Sequence, residues 1–130
     1  MTPELTALAA LVALQALFGL SVSGLVSTRT GLGYIFGSRE EAVDLETGLV
    51  GRMHRARINT FEALTYFTPT VLIVYLADAA NSLTAAAAWT FVAARVVFVL
   101  CYALDLSPWR SIVWFVGLGA ILTMLGAALL

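Results

Sequence analysis

Nine residues in this chain combine chemically useful side chains with helical spacing. On a helix turning about 100° per residue, Arg52, Arg55, Asn59, Glu62 and Tyr66 share an arc of roughly 80°. Arg95 and Tyr102 stand seven residues apart, again on one face. Arg110 and Ser111 follow directly behind Pro108. Guanidinium forks hold anions and a carboxylate holds a cation, so such a stripe can grip a charged ligand or fix a buried ionic network. Metal chemistry has little to work with. One His (His54) and one Cys (Cys101) exclude the usual ligand spacings, and a single Cys excludes an internal disulfide.

These residues sit in a chain too apolar for water. Hydrophobic residues make up 61% of the 130 positions, charged residues 12%, and the mean hydropathy is +0.94. So few charges cannot cover so much apolar surface, so the expected class is an all-α integral membrane protein of one domain, residues 1–130. With net charge −1 and seven Arg as the whole basic complement, binding to nucleic acid by charge neutralisation is excluded.

Charge-free runs at Leu5–Thr28 and Ser111–Leu130 each reach the roughly 20 residues a spanning helix needs. Two more apolar segments are interrupted, one by Glu62 and one by Arg95. The expected helices cover about 3–28, 51–77, 82–104 and 108–130. Thr2 is a candidate cap before Pro3, and the absence of a basic leader means the first helix should be retained. Short links at Asp78–Asn81 and Asp105–Pro108 force antiparallel neighbours, giving an up-down-up-down four-helix bundle. The longer first link, Ser27–Val50, reads as an irregular or short-helical surface segment. Arg29, Arg39, Arg52, Arg55 and Arg57 lie in or beside the first link and Arg110 follows the third. The positive-inside rule then puts both links in the cytoplasm and both termini outside.

Glu62 sits roughly 15 Å deeper than Arg52, near mid-bilayer, where an ionisable group needs a partner. Glu62 and Arg95 are nearly equidistant from the turn at Asn81, so the hairpin predicts that they pair. Two readings of the pair stand: a fixed register with Asn59 as interhelical glue, or the floor of a polar cleft opening to the cytoplasm. Arg52 and Arg55, stacked toward the cytoplasmic mouth, favour the cleft, although both can also anchor at head groups by snorkelling. Arg57 and His54 fall off the stripe and are assigned to head groups or the loop. Cys101 reads as inert packing, and Gln15, Gly19 and Ser23 as a helix-packing surface.

Arg52, Arg55-Ala56, Asn59 and Glu62 together resemble the helix-two signature of the MAPEG family (membrane-associated proteins in eicosanoid and glutathione metabolism). Ala94-Arg95 with Tyr102 is similar to the family's helix three. Pro108, Arg110 and Ser111 resemble the Pro-x-Arg-Ser opening of helix four in the family's glutathione-using prostaglandin synthase. The resemblance implies a homotrimer of four-helix subunits in membrane lipid, of the compact bacterial type and so in the inner membrane. It implies a glutathione site facing the cytoplasm between neighbouring subunits, with no metal. Arg52, Arg55, Asn59, Glu62, Arg95 and Tyr102 would hold or line the glutathione, and Arg110 and Ser111 would address its sulfur. Glutathione's two carboxylates suit Arg, and its ammonium suits Glu62. A cation or hydroxyl donor lowers a thiol's pKa from near 8.5, and the thiolate would attack a lipophilic small-molecule electrophile.

The pattern departs from the family at three positions. Ile58 replaces an Arg that helps bind glutathione in several members, Phe98 stands where some have His, and Trp114 where some have Tyr. The implied function is a glutathione-dependent transferase or peroxidase. The alternative is a non-enzymatic lipid-binding or scaffold member, favoured by Ile58 and opposed by Arg110-Ser111. A small multidrug transporter would need its carboxylate in helix one, where this chain has Gln15.

Overall fold

The computed structural model describes all residues, 1–130. They form five helices and no strand: α1 (Pro3–Thr30), α2 (Leu32–Phe36), α3 (Gly48–Leu76), α4 (Ser82–Ala103) and α5 (Ser107–Leu129). Length and composition make α1, α4 and α5 fit to cross a membrane. The remaining long helix, α3, has 29 residues, about 43 Å of axis, with the Arg-rich stripe on its first half.

Helix boundaries follow local chemistry. The Thr2 hydroxyl accepts the Leu5 amide at 3.4 Å, with Pro3 at the first helical position. Gly31, at φ 83°, ends α1 and turns the chain into α2, a conformation other residues resist. Asn81 caps α4 by accepting the Leu83 and Thr84 amides, while the Thr84 hydroxyl accepts the Asn81 amide in return. The first link contains the short helix α2 and then irregular chain, as expected. Helix α3 begins three residues earlier than the sequence reading placed it, and Pro69 lies inside it without ending it.

The main core sits between α1, α3, α4 and α5 at the end remote from the first link, around Leu11, Phe67, Val71, Phe91 and Met124. Phe67 and Phe91 stack with ring centroids 4.4 Å apart. A smaller cluster of Val22, Val26 and Val50 joins α1 to the start of α3. Only 27 of 130 residues are buried, and the outward faces carry Leu17, Leu20, Phe61, Phe115 and Leu122. Such an apolar exterior requires an apolar surrounding, in keeping with a membrane-embedded chain.

One acid escaped the sequence reading altogether. Glu4 is 1% exposed, and one of its oxygens accepts the Thr84 hydroxyl at 2.5 Å. The contact ties the start of α1 to the start of α4. Its other oxygen has no partner, so the interaction is already half-satisfied at best. Thr84→Val should therefore strand the whole carboxylate and remove the hydroxyl that accepts the Asn81 amide, costing roughly 1–3 kcal/mol. A scan of the detergent-solubilised protein should show a clear drop in thermal midpoint, with Thr84→Ser near wild type. Equal midpoints for Thr84→Val and wild type would remove the tie from the account of this fold.

Candidate functional site

The α3 stripe, the second half of α4 and the first half of α5 enclose two adjoining cavities. The deeper one, about 450 Å³, is lined by Glu62 and Tyr66 from α3, Phe91 and Arg95 from α4, and Leu118 and Ile121 from α5. The shallower one, about 230 Å³, is lined by Phe98 and Tyr102 from α4 and by Arg110, Ser111 and Phe115 from α5. Asn59 and Trp114 line both, so they mark the junction.

Arg95 dominates the interior. It is 2% exposed, and its guanidinium lies over the rings of Phe98 at 4.5 Å and Phe91 at 5.5 Å. Stacking on two aromatic faces replaces part of its lost hydration. Its Nη1 donates to Asn59 Oδ1 at 3.2 Å, and its Nε is buried without a partner. Gly117 supplies the space, because a Cβ there would sit 3.2 Å from Arg95 Nη2.

This corrects the expected pairing of Glu62 with Arg95. The two share a cavity and make no ion pair; the two salt bridges are Arg29–Asp44 and Arg55–Glu46. The hairpin argument gave the right depth and missed the aromatic ring. Phe98, one turn beyond Arg95 on α4, draws the guanidinium toward Asn59 and away from Glu62, which is left exposed.

The other stripe arginines are employed inside the subunit. Arg52 donates its Nε to the Tyr102 carbonyl at 3.0 Å, an acceptor at the end of α4 that also takes the Asp105 amide at 3.3 Å. Arg55 donates to the Glu46 carbonyl at 2.6 Å and stands 3.8 Å from the Glu46 carboxylate. Neither lines either cavity. Gly51 permits the loop to approach, since a Cβ there would collide with the Glu46 backbone. Arg29 fastens the same segment through the carbonyls of Asp44 at 2.9 Å and Thr47 at 3.1 Å.

At the opposite wall, α5 begins at Ser107 with Pro108 in its first turn and no side-chain cap. Its first amides therefore keep their partial positive charge. Arg110 and Ser111 stand there, and the Arg110 guanidinium packs over the Tyr102 ring at 4.7 Å. Of the residues singled out from sequence, the fold brings Asn59, Glu62 and Arg95 together below and Asn59, Tyr102, Arg110 and Ser111 above. Phe91, Gly117 and Trp114 were not recognised as site-forming, because small and aromatic residues look like packing until a charge is found against them.

The MAPEG family model matches residues 5–130. The chain belongs to the MAPEG family. No curated protein and no solved structure matches it. The family includes glutathione transferases and peroxidases. In this MAPEG protein Asn59, Glu62 and Arg95 line one cavity, while Arg52 and Arg55 are bound to the Tyr102 carbonyl and to Glu46.

The rim loop carries a titratable latch. The Thr47 hydroxyl, the Glu46 amide and nearby Arg29 hold the Asp44 carboxyl below the usual carboxylate range. A depressed folded pKa gives a contribution present above the unfolded value, about 3.9, and lost as pH falls through the folded value. The Glu46 and Thr47 amides should thus stay protected from hydrogen exchange at neutral pH and open only at strongly acidic pH, after correction for intrinsic rates. Asp44→Ala should expose them at every pH. Unchanged protection in that variant would assign the loop's order to Arg29 and Arg55.

Proposed function

We propose that this protein is a membrane-bound, glutathione-dependent transferase or peroxidase acting on lipophilic electrophiles. The observation that carries this reading is the position of Arg110 and Ser111. A guanidinium and a hydroxyl stand at an uncapped helix N-terminus, in a partly polar cavity that shares Asn59 and Trp114 with a larger, mainly apolar one. The polar chamber suits a thiol that must ionise, and the apolar chamber suits a substrate arriving from lipid.

In this reading Arg110, the Ser111 hydroxyl and the free α5 amides stabilise the glutathione thiolate. The sulfur lone pair then forms a bond to the electrophilic centre, whose leaving group departs with its electrons and takes up the thiol's proton. Glutathione is a co-substrate here, and no metal takes part. Glu62, exposed in the single subunit, receives the ammonium, while Arg52 and Arg55 lie within reach of carboxylates at the cytoplasmic rim. Arg95 and Tyr102 line the walls.

All four long helices would cross the bilayer up-down-up-down, with both termini outside and the cleft facing the cytoplasm, in a bacterial inner membrane. Three subunits would assemble so that a neighbour covers the exposed flank of α3, where Glu62, Phe61 and Tyr66 face outward. A polar stripe of this kind is costly against lipid. Native mass spectrometry in mild detergent should show three protomers, and a persistent monomer or dimer would count against the shared cleft.

One observation favours a second reading, a non-enzymatic lipid-binding or scaffold protein. Arg55 is held by Glu46 and Ile58 takes the place of another Arg, so fewer cations are free for a tripeptide's carboxylates. Arg110→Ala separates the two. Under the catalytic reading it should raise the pH at which bound thiol ionises and cut conjugation of a test electrophile by roughly 100-fold, the scale of one preorganised electrostatic contact. Glutathione affinity should change less, because its charged ends are held elsewhere. Wild-type turnover with unchanged pH dependence would reduce Arg110 to a head-group anchor. No thiolate in the wild type at millimolar glutathione would hand the lead to the scaffold reading.

A further inference from the structure

We propose that Arg95 is a positioning residue: it fixes the amide orientation of Asn59, so that the NH₂ of that side chain is turned away from the guanidinium at the junction of the two cavities. A guanidinium has five N–H donors and no acceptor, so only the oxygen of Asn59 can face it. The structure has that arrangement, Arg95 Nη1 donating to Asn59 Oδ1 at 3.2 Å. The guanidinium cannot swing aside. Phe91 and Phe98 flank it, and it occupies the gap that Gly117 leaves open.

With Oδ1 turned to Arg95, the Asn59 amide nitrogen faces away from the guanidinium, and that nitrogen has no acceptor within the subunit. Asn59 lines both cavities. In the shallower one it stands with Arg110 and Ser111, so donors from α3 and α5 meet at one place. An anion there receives N–H from Asn59 as well as the groups on α5. Were the amide to flip, its carbonyl would repel that same anion. Turning the NH₂ toward a guanidinium disfavours the flip roughly tenfold or more. The proposal rests on the glutathione reading for the identity of the anion, a thiolate or a carboxylate of the tripeptide. The orientation itself does not depend on it.

Two measurements on detergent-solubilised protein test this. The first uses no ligand. Asn59→Asp places a carboxylate against Arg95, and should hold or raise the thermal midpoint; in an Arg95→Met background the same change should lower it. The second adds glutathione and follows thiolate absorbance across pH. Asn59→Asp should lose thiolate at least roughly tenfold despite its intact fold, the scale of one hydrogen bond to a charged group. Arg95→Met should weaken glutathione binding about as much, and Arg95→Lys, which keeps a donor toward Oδ1, should restore most of it. A structural role alone would move the midpoints and leave the pH of thiol ionisation in place. If Arg95→Met does not fold, Arg95→Lys and Asn59→Asp carry the test. Wild-type thiolate yield in Asn59→Asp overturns the proposal. If wild type forms no thiolate, the glutathione reading fails. The ligand-free cycle still decides the orientation, and equal effects of Asn59→Asp with and without Arg95 overturn it.

Discussion

A guanidinium sealed in an apolar bundle is the constraint on which the rest of this structure turns. Arg95 has surrendered almost all its water and gains one hydrogen bond and two aromatic faces in return. A cation so placed leaves its surroundings little freedom. Position 117 must be small, position 98 must present a face, and position 59 must present an acceptor. Those three demands fall on α5, α4 and α3, so one side chain sets how the three helices meet. The two cavities are the space left around that arrangement.

The rest of the bundle is organised the opposite way to a soluble one. Its buried residues are few and mostly small or aliphatic, and many of its large side chains point outward. Lipid removes the hydrophobic drive that would pull them in, so close packing and sparse polar contacts must hold the helices. The Phe67–Phe91 stack, the Arg52 bond to the end of α4 and the Glu4–Thr84 contact are contacts of this kind. They lie at three levels along the bundle, which is why no single one needs to be strong.

Much of this was legible in the residues. Charge-free runs and the signals at Thr2, Pro3, Asn81 and Pro108 located α1, α4 and α5 closely, because end chemistry is local and sequence displays it. The start of α3 was placed at Gly51, three residues too late, because Gly48, Leu49 and Val50 were assigned to the first link. Gly51 is helical, and its missing side chain admits the Glu46 backbone. The stripe from Arg52 to Glu62 was visible as a stripe, since periodicity fixes which face a side chain takes. Its destinations were not visible. Arg52 meets a carbonyl of α4 and Arg55 meets Glu46, both set by tertiary placement. Glu4 was passed over because it precedes an apolar run, where an acid reads as a solvated end.

The displaced pair carries the strongest chemical consequence. Had Arg95 met Glu62, the two charges would have cancelled and the interior would be a register pin with nothing to offer a ligand. Drawn instead to Asn59, the cation donates one bond to a neutral oxygen and keeps an unpartnered Nε, and Glu62 keeps its full acceptor capacity. One cavity wall then carries a carboxylate, and the junction above it presents the N–H groups of Asn59. Positive and negative recognition elements thus stand apart along α3, separated by less than one helical turn between Asn59 and Glu62. A ligand bearing both charges can span that separation, whereas a plain hydrocarbon leaves both ends unsatisfied. By this argument the aromatic ring at Phe98 is what keeps the acid and the donors available, turning a packing contact on α4 into a determinant of what α3 can bind.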